Sequence, residues 1–124
     1  AGNLNLAVTF DRRKVKVGDP VRCHIHAGRV AHRGYGMLLA EIGLPPGGEV
    51  DQIALERELG DRFEIRPDRV VLYLWPLPGG TDVELVFTPR FAGNVVSAPS
   101  RLYDYYNPQA GIVVAPQRFV LAGR

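Results

Sequence analysis

Residues 21–28 read VRCHIHAG, and the order of apolar and polar side chains in these eight positions decides how the rest of the chain is read. Val21, Cys23, Ile25 and Ala27 alternate with Arg22, His24, His26 and Gly28. Successive side chains of a strand leave on opposite faces, so the stretch predicts a half-buried strand with the cysteine inside. The same period runs upstream, where Leu4, Leu6, Val8 and Phe10 alternate with Asn5, Ala7 and Thr9. A turn at 11–14, a brief continuation through Val15 and Val17, and a break at Gly18-Asp19-Pro20 separate the two strands.

Downstream, a loop over 29–36 holds Gly34 and Gly36 and leads into the apolar run 37–44. That run stops at Pro45-Pro46-Gly47-Gly48, which favours a buried strand over a helix. Residues 49–59 form the one credible helix. Asp51 is placed to cap it, acidic residues crowd its first turn, Gly60 ends it, and Val50, Ile53, Ala54 and Leu59 supply its apolar side. Strands follow at Phe63 to Ile65, at 70–75, at Val83 to Phe87 and at 97–106, with one or two closing strands within 112–121. Turns about every ten residues and no alternation of strand with helix predict an all-β, antiparallel β-sandwich of immunoglobulin-like or jelly-roll-like form.

A chain of 124 residues suffices for one domain with one core, and no linker or repeat divides it. Its 46% apolar and 23% charged residues fit a globular protein and argue against disorder. No apolar run approaches the roughly 20 residues that a spanning helix needs, so no membrane insertion is expected. The net charge of +2 is uneven, with +5 in residues 1–36. Arg12, Arg13, Lys14 and Lys16 fall at a turn and read as solvated charge. Without a dense basic face interleaved with aromatics, nucleic acid is not an expected partner.

The residues capable of chemistry do not converge. His24 and His26 share a strand face and His32 follows in the next loop, but zinc needs three or four ligands and no carboxylate is fixed beside them in sequence. No metal is expected. Period two sends Cys23 to the face opposite both histidines, which removes a cysteine–histidine pair. There is no nucleophile elbow, phosphate loop or zinc-protease helix, so neither a catalytic residue nor a cofactor is assigned and the chain is read as a non-enzyme. In Tyr103-Asp104-Tyr105-Tyr106-Asn107-Pro108, alternation puts Tyr103 and Tyr105 on one face and Asp104 and Tyr106 on the other. The segment is therefore expected to pack on both faces, with Tyr105 buried. Asp104 would accept from a tyrosine hydroxyl or from the amides of the turn that Asn107-Pro108 begins.

Four stretches in order, GLPPGGEVD (43–51), RFEIRPDRVVLYLWPL (62–77), VELVFTPRF (83–91) and APSRLYDYYNP (98–108), resemble the C-terminal receptor-binding domain of the alpha-2-macroglobulin family. The Tyr-Asp-Tyr-Tyr run carries most of that resemblance, which covers residues 4–108. It implies a β-sandwich of about nine strands with one short helix, cut from a larger thioester-containing, protease-trapping protein that is secreted, periplasmic or at the cell surface. It also implies a non-catalytic role and two partners: the neighbouring thioester domain, and a receptor or other protein on the helix face through Asp51, Gln52, Glu56 and Arg57. The thioester needs a Gly-Cys-Gly-Glu-Gln motif that this chain lacks, so Cys23 is not the reactive residue.

The sequence departs from the animal members at the helix. Those dock lysines into acidic receptor pockets, whereas 49–59 has no lysine and sets Glu49, Asp51, Glu56 and Glu58 against Arg57 alone. With its single cysteine, the wording is closer to bacterial macroglobulin-like proteins. The leading expectation is a protein-interaction domain that packs on the thioester domain and shifts on activation, using the helix, the loop 29–36 and the sandwich edges. The alternative is a free-standing carbohydrate-binding or adhesive sandwich using Trp75 and the tyrosines, with Trp75 expected to be partly buried.

Overall fold

The structure, a computed structural model, describes residues 3–30, 36–75 and 77–124. In chain order these hold β1 (Leu4–Phe10), β2 (Lys14–Lys16), β3 (Val21–Arg29), β4 (Leu38–Gly43), β5 (Gly48–Val50), α1 (Gln52–Leu59) and β6 (Phe63–Ile65). Then come β7 (Arg69–Leu74), β8 (Thr81–Pro89), β9 (Gly93–Val96), β10 (Ser100–Asp104), β11 (Gly111–Val114) and β12 (Arg118–Ala122). They form a four-stranded sheet in the order β1-β3-β8-β5, a five-stranded sheet β11-β10-β4-β7-β6 and a three-stranded sheet β2-β12-β9. Every pairing is antiparallel except that of β2 with β12.

Alternation explains the layers. Val21, Cys23, Ile25 and Ala27 of β3 and Val83, Leu85 and Phe87 of β8 are buried, as are Leu38, Ala40 and Ile42 of β4 and Val70, Leu72 and Leu74 of β7. Together they make one cluster between the two larger sheets, the arrangement of a sandwich. The third sheet closes the core through Val15, Phe119 and Leu121. Phe119 meets Phe10 and Phe87 edge to face, with ring centroids 4.9 and 6.0 Å away. Gly43 is required for close approach: a Cβ there would overlap the Ala98 carbonyl, and its N–H donates to Ser100 Oγ at 2.9 Å.

The all-β antiparallel sandwich is as expected, but the described residues hold twelve strands rather than about nine. The surplus is β5 and β9, of three and four residues, which the sequence does not predict, and β2, three residues long where only a brief continuation through Val15 and Val17 is expected. The helix begins at Gln52, not at residue 49, because Glu49 and Val50 pair with Thr88 and Phe87 as part of β5. Asp51 caps it by accepting from the Ala54 N–H at 3.1 Å, and Gly60, at φ +64°, ends it. No acidic residue lies in the first turn. The expected strand over 97–106 is shorter and runs only from Ser100 to Asp104. His32 and Gly34 lie outside the described residues.

Candidate protein-interaction surface

The helix residues singled out for interaction, Asp51, Gln52, Glu56 and Arg57, are all exposed. Gln52 donates to Glu56 at 3.2 Å, and the two line an open groove of about 440 Å³ with Gly60, Asp61 and Phe63. Glu49 is held by Arg90 at 2.9 Å, and Glu58 accepts from the Glu84 N–H, which ties the helix to β8. The expected apolar side is only partly right. Leu55 and Leu59, one turn apart, are the buried stripe, while Ile53 is 65% exposed.

The tyrosine segment behaves differently on its two sides of Asp104. Tyr103 is half-buried, donates to Glu41 Oε2 at 3.1 Å and lies under the Arg101 guanidinium at 4.2 Å. Burial first, and then the Glu41 bond, raise its pKa above the usual 10. Beyond Asp104 the expectation of packing fails: Tyr105 is 51% exposed and Tyr106 79%. The reason is that the strand ends there. Asp104 Oδ1 accepts the Tyr106 N–H at 2.9 Å, a local turn that cancels the period-two rule, and the Tyr105 N–H donates to the Met37 carbonyl. Both rings turn outward, edge to face, with centroids 5.1 Å apart. Asn107 and Pro108 are exposed in the same turn, and the Pro108 carbonyl accepts from Arg101 at 2.7 Å.

Asp104 has a partner that the sequence reading did not assign. Arg29 donates to its Oδ2 at 2.8 Å and to the Gly36 carbonyl at 3.1 Å, with side-chain exposures of 6% for Arg29 and 17% for Asp104. Arg29 continues the inward series of Cys23, Ile25 and Ala27 on β3, and Asp104 continues that of Ser100 and Leu102 on β10. This ion pair therefore bridges the two large sheets at one mouth of the sandwich. Position parity alone pointed Arg29 inward, which was the available signal. Its Nε is buried without a partner among the described residues.

The same mouth gathers exposed apolar side chains. Asp104 and Leu74 both pair with Leu38, so Tyr105 and Trp75 emerge at one end of the five-stranded sheet, two strand spacings or roughly 10 Å apart. Trp75, 54% exposed, shares a shallow cleft of about 330 Å³ with Leu59, Arg62 and Leu77. Leu77 and Val30 are also exposed there. Gly36, the described end of the expected interaction loop, packs so close to Tyr106 that a Cβ would lie 2.9 Å from its ring.

The remaining candidates are inert or structural. Cys23 is fully buried, and burial pushes its thiol up to about 12. His24 Nε2 and His26 Nδ1 lie 2.9 and 3.0 Å from one oxygen of Asp82, a carboxylate that the sequence did not place beside them. No group of three or more His, Cys, Asp or Glu side chains among the described residues is arranged to hold a metal ion. No described helix is long and apolar enough to cross a membrane.

The site thus sits on a three-sheet β-sandwich that carries one capped helix and an outward-facing tyrosine turn. A family model described as the A-macroglobulin receptor binding domain matches residues 33–115, and the chain belongs to that family. Native alpha-2-macroglobulin from Escherichia coli, in a crystal structure spanning domain MG7 to the C-terminus, superposes with a TM-score of 0.80 at 14% identity. The match covers 96% of this chain and 23% of that one, so the chain spans under a quarter of that structure. A cohesin module from a Clostridium perfringens family 33 glycoside hydrolase superposes with a TM-score of 0.53 at 8% identity, covering 98% of each chain. No curated protein matches the sequence.

Proposed function

We propose that this chain is a non-catalytic interaction domain at the C-terminal end of an alpha-2-macroglobulin-like, protease-trapping thioester protein. It seats on the thioester domain and is repositioned when the parent is activated. The observation that carries this reading is the aromatic mouth. Val30, Trp75, Leu77, Tyr105 and Tyr106 are exposed together at one end of the sandwich, over an ion pair that fixes the turn bearing the tyrosines. Clustered, immobilised aromatics are the side chains that dominate protein interfaces. The family membership favours another domain of the parent as the partner, and the small share of the Escherichia coli chain that it matches supports its being part of a longer protein. The parent is read as bacterial and as secreted, periplasmic or cell-surface. The helix face of Asp51, Gln52, Glu56 and Arg57 is a second contact, of negative sign.

The test is association of the 124-residue chain with the thioester domain of its parent, before and after proteolytic activation. Binding that weakens in Trp75→Ala and Tyr105→Ala, together with a change in protection of the mouth on activation, is the expected result. Absence of both would refute the reading.

The exposed Trp75 and tyrosines also suit the alternative of a carbohydrate-binding or adhesive module. The 77° angle between the Tyr105 and Tyr106 rings argues against it, since a sugar stacks on one flat face. A shift in Trp75 fluorescence on adding oligosaccharide would favour that alternative.

A further inference from the structure

The end of the sandwich opposite the aromatic mouth carries a different surface. There an open groove of about 550 Å³ is lined by Arg12, Arg13, Lys14, Arg118 and Val120. Leu4 of β1 pairs with Arg29 beside the mouth, and β1 then runs about 20 Å before reaching Phe10 and the basic turn. Lys14 of β2 pairs with Val120 of β12, so the groove joins two distant parts of the chain on one rigid sheet. On β12, alternation sends Phe119 and Leu121 into the core and leaves Arg118 and Val120 outside.

The four cations are not neutralised. Among the described residues none of them forms an ion pair, whereas Arg22, Arg29, Arg66, Arg69 and Arg90 each meet a carboxylate. Arg12 donates to the Pro20 carbonyl at 2.8 Å, which fixes its side chain and leaves its charge. Like charges around one groove repel each other and attract an anion. The floor is apolar, made by Val120, 43% exposed, and by the aliphatic stems of its neighbours. A bare polyanion would use the cationic rim and leave that floor empty. An extended peptide with carboxylates flanking an apolar residue would use both, because its side chains on one face recur about every 7 Å and so set a carboxylate on either side of a central apolar residue.

We propose that this groove binds an extended acidic peptide segment bearing an apolar residue between its carboxylates, at a site separate from the aromatic mouth. The probe is a fluorescein-labelled Glu-Asp-Leu-Asp-Glu peptide titrated with the 124-residue chain, read by anisotropy. Saturable binding that weakens with added salt is expected, with a loss of at least about tenfold in Arg118→Glu. Val120→Ser should weaken binding several-fold without changing the salt dependence. If Arg118→Glu loses its thermal transition, the Arg13→Gln, Arg118→Gln double variant takes its place. Binding no tighter than that of the Gln-Asn-Leu-Asn-Gln counterpart, or retained in the charge variants, overturns the proposal. So does short-chain polyphosphate binding as tightly as the peptide, with Val120→Ser without effect, since the groove would then be a generic anion patch.

Discussion

Asp104 joins two sheets and shapes a turn with a single carboxylate. Burial raises its pKa, but the Arg29 guanidinium and the Tyr106 N–H more than offset this and hold it below the usual 3.8. A carboxyl lowered on folding contributes stability above its unfolded pKa and loses it as pH falls through the folded value. The protein should therefore lose urea resistance progressively below about pH 4, and Asp104→Asn should flatten that dependence. Some acid dependence will remain, because hydrogen bonds from His26 and then His24 lower the exposed Asp82 in the same sense. At neutral pH Asp104→Asn should cost about 3 kcal/mol, since it strands a buried guanidinium. Wild-type and variant urea midpoints with the same slope across pH would contradict this account. Tyr105 is the opposite case: half-exposed and beyond the strand, it should cost about 1 kcal/mol or less when changed to Ala. The same change should weaken association with the neighbouring domain at least about tenfold. A stability loss near 3 kcal/mol would mean that the ring is packed after all.

The helix shows at the scale of one element how packing selects among apolar residues. Leu55 and Leu59 point at β8, and Ile53, two positions from Leu55, lies on the other side of the helix. Leu55→Ala should cost about 3 kcal/mol in chemical denaturation, and Ile53→Ala within about 0.5 kcal/mol. Equal losses would place the helix in a different rotation. The sequence reading takes Val50, Ile53, Ala54 and Leu59 as the apolar side; the boundary accounts for Val50, and the choice of Ile53 over Leu55 is decided by packing on the sheet, which no local pattern shows. Starting the helix at residue 49 included two residues that β5 takes for pairing with β8. The strands were legible because alternation over five or more residues leaves one register that buries the apolar set. β5 and β9, three and four residues long, carry no such signal, and they pair with β8 and β12, distant in sequence. The Arg29–Asp104 bridge and the exposed tyrosine pair were hidden for a related reason. The first joins residues far apart in the chain, and the second depends on a side-chain turn that stops the strand at Asp104. The cap at Asp51 and the stop at Gly60 are local chemistry, and both were readable.

The three sheets act as one body only if their shared core holds, and Cys23 offers a way to measure this. It sits on β3 between Phe10 and Leu85, in the interior of the four-stranded sheet, and has no exposed surface. With its thiol pushed up to about 12, the thiolate is scarce at neutral pH even before access is considered. Alkylation in native buffer should therefore report opening of the whole sandwich rather than fraying at an edge. Phe119, fully buried, is what the three-stranded sheet contributes against Phe10 and Phe87. Phe119→Ala should cost about 4 kcal/mol. If Cys23 is reached only through global unfolding, that loss raises its labelling rate close to a thousandfold, because each 1.4 kcal/mol is about a factor of ten. If instead the three-stranded sheet detaches alone, labelling will rise far less than the loss of global stability, and hydrogen exchange will accelerate in β2, β9 and β12 before β3 and β8. The cationic groove lies on that third sheet and the aromatic mouth between the other two. Matching shifts in labelling and stability would therefore mean that the two surfaces are held by one cooperative core.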